Sequence, residues 1–205
     1  MARFTQAISE GDGISLIPTL AGDVATLAGA AETSGAEAVA VASPADAERV
    51  RAAAGLPVLL HRKVRSRAEL EAASDAGADA VVIDLPKLDD DDALQDIHTT
   101  AHELGFDVAV DVGDDEDLER ALELVDPDIV WICDRSGDHD EAFERTLDLL
   151  PDVPAGKLVI SESRRIVREQ VVALERAGVD ALVVADAASG EDFARTLADL
   201  GGGDI

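Results

Sequence analysis

The sequence predicts an α/β protein, a (β/α)8 or TIM barrel in a single domain covering residues 1–205. Three observations predict it. Eight short runs of strand-forming residues alternate with helix-like runs, with almost nothing left over. The strand-like runs are near-continuously apolar, as strands buried on both faces are. A helix-ending glycine followed at once by such a run occurs three times. Strands separated by helices pair in parallel through right-handed crossovers, and eight such units close a barrel near the lower size limit of the fold. A doubly wound open sheet is the competing architecture. It draws no support from phosphate-binding signatures: there is no G-x-G-x-x-G after the first strand and no G-x-x-x-x-G-K-[ST] anywhere.

Taken in order, strands are expected near 13–18, 37–42, 57–61, 79–84, 106–112, 128–133, 157–161 and 180–185. The second, fourth and eighth follow Ser34-Gly35-Ala36, Ala76-Gly77-Ala78 and Ala177-Gly178-Val179. Each glycine suits the left-handed position that ends a helix. Between strands lie amphipathic stretches such as Asp114–Val125 and Arg168–Ala177, and the acidic openings Asp89–Asp92 and Asp114–Asp117 favour the positive ends of helix dipoles. With four Phe, one Trp and no Tyr, the core must be aliphatic. If Cys133 points into the barrel, strand alternation points Trp131 and Ile129 the same way.

Composition narrows the function classes. Forty-four acidic residues against 17 basic ones give a formal net charge of -27. Such a surface repels nucleic-acid phosphates and anionic lipid, so neither nucleic acid nor membrane is expected as a partner. An acid-rich, lysine-poor surface resembles those of proteins from salt-loving organisms, where a Debye length of ~3 Å at molar salt screens the self-repulsion. No apolar run approaches the ~20 residues that span a bilayer, the N-terminus lacks an apolar leader core, and the single Cys133 fits a reducing compartment. A cytoplasmic location is expected.

In a barrel, chemistry sits at the carboxyl ends of the strands. Those ends supply His61 to Lys63, Asp84, Asp111, Cys133-Asp134-Arg135, Ser161-Glu162-Ser163-Arg164-Arg165 and Asp186. The stretch Pro57-Val-Leu-Leu-His-Arg-Lys-Val with Gly77-Ala-Asp-Ala, the stretch Val110-Asp-Val-Gly-Asp-Asp-Glu-Asp-Leu, and Leu158-Val-Ile-Ser-Glu-Ser followed by Ala177-Gly-Val-Asp-Ala-Leu-Val-Val resemble the indole-3-glycerol phosphate synthase family. The likeness runs from about Gly13 to Leu200. It implies a barrel that binds a phosphorylated, anthranilate-derived sugar chain and closes a pyrrole ring with loss of CO₂ and water, without metal or organic cofactor.

The departures shape the expectation. The family's strand-3 motif reads P-V-L-x-K-D-F, and its lysine is the general acid; His61 falls at that position, with Arg62 and Lys63 next. The first-strand E-x-K matches Leu16-Ile17-Pro18. The strand-5 glutamate becomes Asp111, the strand-6 asparagine Cys133, and a glycine two residues earlier becomes Trp131. Glycines of the phosphate site become Arg164 and Val184. Only twelve residues precede Gly13, where the family has a longer segment covering the substrate. The expected outcome is a relative that has lost the parent reaction and binds a small anionic or phosphorylated molecule. The alternatives are a working carboxy-lyase of tryptophan synthesis and a sugar-phosphate isomerase-type barrel.

Candidate catalytic residues are His61, Asp111 and Glu162; candidate ligand-binding residues are Lys63, Asp134, Ser161, Ser163, Arg164 and Arg165. Each has a bland reading: His61 as a polar strand-end residue, Asp111 as a solvated carboxylate, the arginines as partners of surface acids. Cys133 lacks an evident base and reads as a small core residue. His98 and His102 stand at i, i+4 on one helical face, a metal-capable spacing, but no third ligand is evident in the sequence. No metal and no cofactor are expected.

Overall fold

The computed structural model describes residues 3–11, 13–133, 139–163, 166–184 and 199–200. Eight parallel strands close into a barrel in chain order. They are β1 Ser15–Leu20, β2 Val39–Val41, β3 Val58–Val64, β4 Ala80–Ile83, β5 Asp107–Val112, β6 Ile129–Ile132, β7 Leu158–Ser163 and β8 Ala181–Val184. Closure is direct: Ser15 lies opposite Ala181 and Pro18 opposite Val184. That pairing excludes the open sheet. Helix α1 (Arg3–Ser9) precedes the barrel, and α2 (Val24–Thr33), α3 (Pro44–Ala53), α4 (Arg67–Asp75), α5 (Asp91–Glu103), α6 (Asp115–Leu124), α7 (His139–Leu149) and α8 (Arg168–Ala177) follow β1 to β7 in turn.

The helices start where local chemistry dictates. Side-chain oxygens of Asp23, Ser43, Ser66, Asp90 and Asp114 accept from backbone N–H groups of the first turns of α2 to α6. Each such cap contributes about 0.5–2 kcal/mol. The acidic openings are therefore caps and first turns, as expected. Gly35, Gly77 and Gly178 take positive φ at the helix-to-strand turns, and Gly105 does the same before β5, a fourth turn of this kind.

Strand alternation sorts the apolar residues into two cores. One faces outward beneath the helices and includes Val58, Leu60, Val81, Ile83, Val108, Val110, Val130, Ile132 and Val159. The other fills the barrel with Ile17, Ala40, Leu59, Ala80, Val82, Ala109, Ile129, Trp131, Ile160 and Val183. Helix α1 stoppers the amino end: Phe4 and Ile8 join the inner core, and the Thr5 N–H donates to Asp107 Oδ2 at 2.9 Å.

Three strand bounds differ from expectation in a way that matters. β1 starts and ends two residues later than expected, and β2 pairs with it only at Thr19 and Leu20, beyond Pro18, which has no amide hydrogen to donate. β3 runs on to Val64 and β7 to Ser163. Their polar ends, His61-Arg62-Lys63 and Glu162-Ser163, stay extended instead of turning into loop. On β3 the register slips: Leu60 and Val64, four apart, oppose Val81 and Ile83, two apart on β4. Such an irregularity lifts and re-aims side chains at a barrel rim.

Candidate functional site

Strand alternation from the inward Leu59 leaves His61 and Lys63 half-buried and Arg62 exposed, so the first two project into the mouth. There they meet side chains from three other strands. His61 Nε2 lies 2.9 Å from Glu162 Oε1 of β7. Lys63 Nζ donates to Asp111 Oδ2 of β5 at 2.8 Å. Between these two pairs sits Cys133, just past β6; its thiol donates to Glu162 Oε2 at 3.3 Å and it also bonds Lys63. His61, Glu162, Cys133, Lys63 and Asp111 thus form one polar chain across the mouth. Its floor is Trp131, fully buried, whose indole lies 5.6 Å from the His61 ring, centroid to centroid, at 52°. The indole N–H has no hydrogen-bond partner among the described residues.

The electrostatics follow from this packing. Burial raises the Cys133 thiol, the nearby Glu162 charge raises it further, and together they overcome Lys63, pushing it up to about 12. It stays protonated at neutral pH and is no nucleophile. Burial would lower the Lys63 ammonium, but Asp111 and Cys133 outweigh that and hold it above the ordinary lysine range. Burial would raise Glu162, and its bonds to His61 and Cys133, with Lys63 nearby, hold it below the usual carboxylate range. The mouth therefore carries an ammonium and a carboxylate, each fixed in its charged form by its neighbours.

Several expected site residues converge here and others do not. His61, Lys63, Asp111 and Glu162 are brought together. Asp111 is 1% exposed and paired, so it is not a solvated carboxylate; Asp114 is the residue that caps α6. Ser161 is not in the mouth. Once Glu162 points inward, alternation turns Ser161 outward, where its Oγ meets Thr146 Oγ1 of α7 at 3.1 Å. Ser163, half-buried at the end of β7, lines a small hollow with Phe143, Ile166 and Gln170. Asp134, Arg164 and Arg165, with Arg135 and Asp186, lie outside the described residues. The sequence reading missed the bond from Lys63 to Asp111. Its signal was the i, i+2 spacing of His61 and Lys63 on one strand, which puts an ammonium one step above the position where the family's lysine is replaced.

Comparison with known proteins assigns the lineage. The family model described as indole-3-glycerol phosphate synthase matches residues 27–200. The chain belongs to the indole-3-glycerol phosphate synthase family. An indole-3-glycerol phosphate synthase from Variovorax paradoxus is 36% identical over 141 residues, 68% of this chain and 52% of that protein. The chain thus spans about half the length of that relative. Among solved structures, the tryptophan synthase alpha-subunit of Pyrococcus furiosus superposes with a TM-score of 0.71 at 20% identity, covering 92% of this chain and 98% of that one. The N-acetylmannosamine-6-phosphate 2-epimerase of Clostridium perfringens gives 0.69 at 19% identity, covering 84% and 86%. At these identities the two structures share the fold.

Proposed function

We propose that this family member has lost the ring-closing decarboxylation and uses the barrel mouth to bind a small anionic, phosphorylated or carboxylated molecule. The observation that carries the reading is Trp131. Its indole is wholly buried where the resemblance places a glycine, and it floors the site directly under His61 and Asp111. The indole fills interior volume that a larger ligand would need. The charged groups around it are committed to one another, Lys63 to Asp111 and His61 to Glu162. A smaller anion suits what is left: in a chain of net charge -27, His61 and Lys63 are the basic side chains on the inner face among the described residues, and Arg164 and Arg165 come next in sequence after Ser163.

A second reading has one observation in its favour. Lys63 Nζ at 2.8 Å from Asp111 supplies an ammonium and a carboxylate in contact, the acid and base that a working synthase needs. In that reading Lys63, displaced two residues along β3, is the acid and Asp111 the base. One experiment decides. The protein in high salt is incubated with the carboxyphenylamino-deoxyribulose phosphate substrate while indole fluorescence is followed. No turnover is expected, and phosphorylated metabolites are expected to raise the melting temperature. Turnover abolished by Lys63→Met or His61→Ala overturns the proposal, and the variant that abolishes it names the acid.

A further inference from the structure

Outside the mouth, the structure brings together two residues that the barrel chemistry does not use. His98 and His102 lie one turn apart on α5. His98 is half-buried, and His102 is exposed. Their Nε2 atoms approach to 3.3 Å, with the rings edge to face at 72°. A direct N–H hydrogen bond has a commoner length of about 2.9–3.0 Å. A tetrahedral ion with metal–nitrogen bonds of about 2.0–2.1 Å sets two ligand nitrogens about 3.3–3.4 Å apart. The observed separation matches the second geometry.

We propose that His98 and His102 form a two-imidazole clamp for a divalent transition-metal ion of the zinc, nickel or copper class, its remaining positions filled by water. Imidazole nitrogen selects these ions over magnesium and calcium, which require oxygen ligands. The lack of a third protein ligand, which set the pair aside in the sequence, is no obstacle to a half-hydrated surface site. Among the described residues neither ring is tied up in an ion pair. The net charge of -27 draws divalent cations to the surface. Both imidazoles stand in the C-terminal half of α5, on the outer helical layer, so a bound ion would brace that helix and take no part in the chemistry at the mouth.

The test is calorimetric titration of the full chain with Ni²⁺ at neutral pH, paired with thermal unfolding. One ion per chain is expected, with a rise in melting temperature. His98→Gln and His102→Gln are each expected to weaken binding by at least about tenfold, with far-UV circular dichroism unchanged. Mg²⁺ is expected to act equally on all three proteins, through the acidic surface alone. Ni²⁺ binding that persists in the double variant, or no binding to the parent chain at millimolar Ni²⁺, overturns the proposal.

Discussion

The two ends of this barrel use the same residue types for different ends. At the amino end, carboxylates hold backbone. Asp79 Oδ2 accepts from the Val58 N–H at 2.6 Å while pairing with Arg51, Asp180 Oδ2 accepts from the Val159 N–H at 2.7 Å, and Asp107 holds α1. Inside the carboxyl mouth, carboxylates hold side chains: Asp111 holds Lys63, and Glu162 holds His61 and Cys133, while Asp23, Asp90 and Asp114 cap helices on the rim around it. The difference has a physical consequence. A backbone amide is a donor that every residue except proline keeps, so its acceptor is fixed by the fold. A pair of side chains can be removed together. The amino end is built into the architecture, whereas the mouth is open to rewiring.

The sharpest way to break that contrast is paired substitution at both ends. Lys63→Met leaves the 1%-exposed Asp111 carboxylate without its ammonium. The expected loss is about 2–4 kcal/mol in urea unfolding, below the roughly 3–5 of a fully buried pair because Lys63 keeps some exposure. Adding Asp111→Leu is expected to recover most of it, since apolar replacement of a whole buried pair is commonly neutral. At the other end, Asp79→Leu is expected to cost about 2–3 kcal/mol through the orphaned Val58 N–H and the abandoned Arg51. Adding Arg51→Met recovers little, because the amide remains unsatisfied. Arg51 also bonds the carbonyls of Gly77 and Leu56. Equal recovery at the two ends would remove the distinction.

A smaller effect of opposite sign at the two ends should appear on acidification. Glu162 is held below 4.5, the ordinary value of a glutamate. The folded state therefore binds fewer protons there than the unfolded chain, and the stability it contributes is present above about pH 4.5 and lost as pH falls through the folded value. Asp180 is raised above 3.8, chiefly by burial. Its carboxyl binds more protons when folded, so acidification through its folded value toward 3.8 favours folding. Glu162→Gln is expected to flatten the acid limb of the stability profile. Asp180→Asn, which keeps an oxygen for the Val159 N–H, is expected to steepen it. Two variants with the same acid limb as the parent would show that neither carboxylate senses its surroundings as described.

How much of this was legible beforehand differs between the ends too. The amino end was readable because its rules are local: a glycine ends a helix and a buried apolar run begins at once after it. Asp79 and Asp180 even sit in the repeated Gly-x-Asp-Ala turn. The mouth was less readable for a specific reason. Strands buried on both faces are apolar at every position, so the sequence shows their period but conceals which face each residue takes. Ser161 was placed in the site with Glu162 and Ser163 through the family-like Ser-Glu-Ser stretch; Glu162 points in, and Ser161 faces Thr146 of α7. Lys63 required one step more: its i, i+2 spacing from His61 puts it on the inner face only if β3 runs on past His61, and its partner Asp111 lies on another strand. Polar residues at the ends of β3 and β7 looked like loop starts, and they remain strand because their partners lie across the mouth.

The smallest expected effect concerns the residue joining the two charged pairs. Cys133 lies between Glu162 and Lys63 and is pushed up to about 12 from the ordinary 9.0 of a thiol. In the folded chain it keeps its proton where the unfolded chain releases one, so stability should decline as pH rises from about 9 toward 12. Lys63 acts in the same window, since its raised value means that its contribution is whole below 10.5 and lost above. The two are separable by Cys133→Ala, which removes the first loss and leaves the second. The same variant tests whether the mouth is one network or two adjacent pairs. If Cys133 transmits between them, the coupling between Lys63→Met and Glu162→Gln, measured as a double-variant cycle, should shrink when alanine takes its place. An unchanged coupling would mean that Lys63 and Glu162 sense each other through space, and that the thiol only fills the gap.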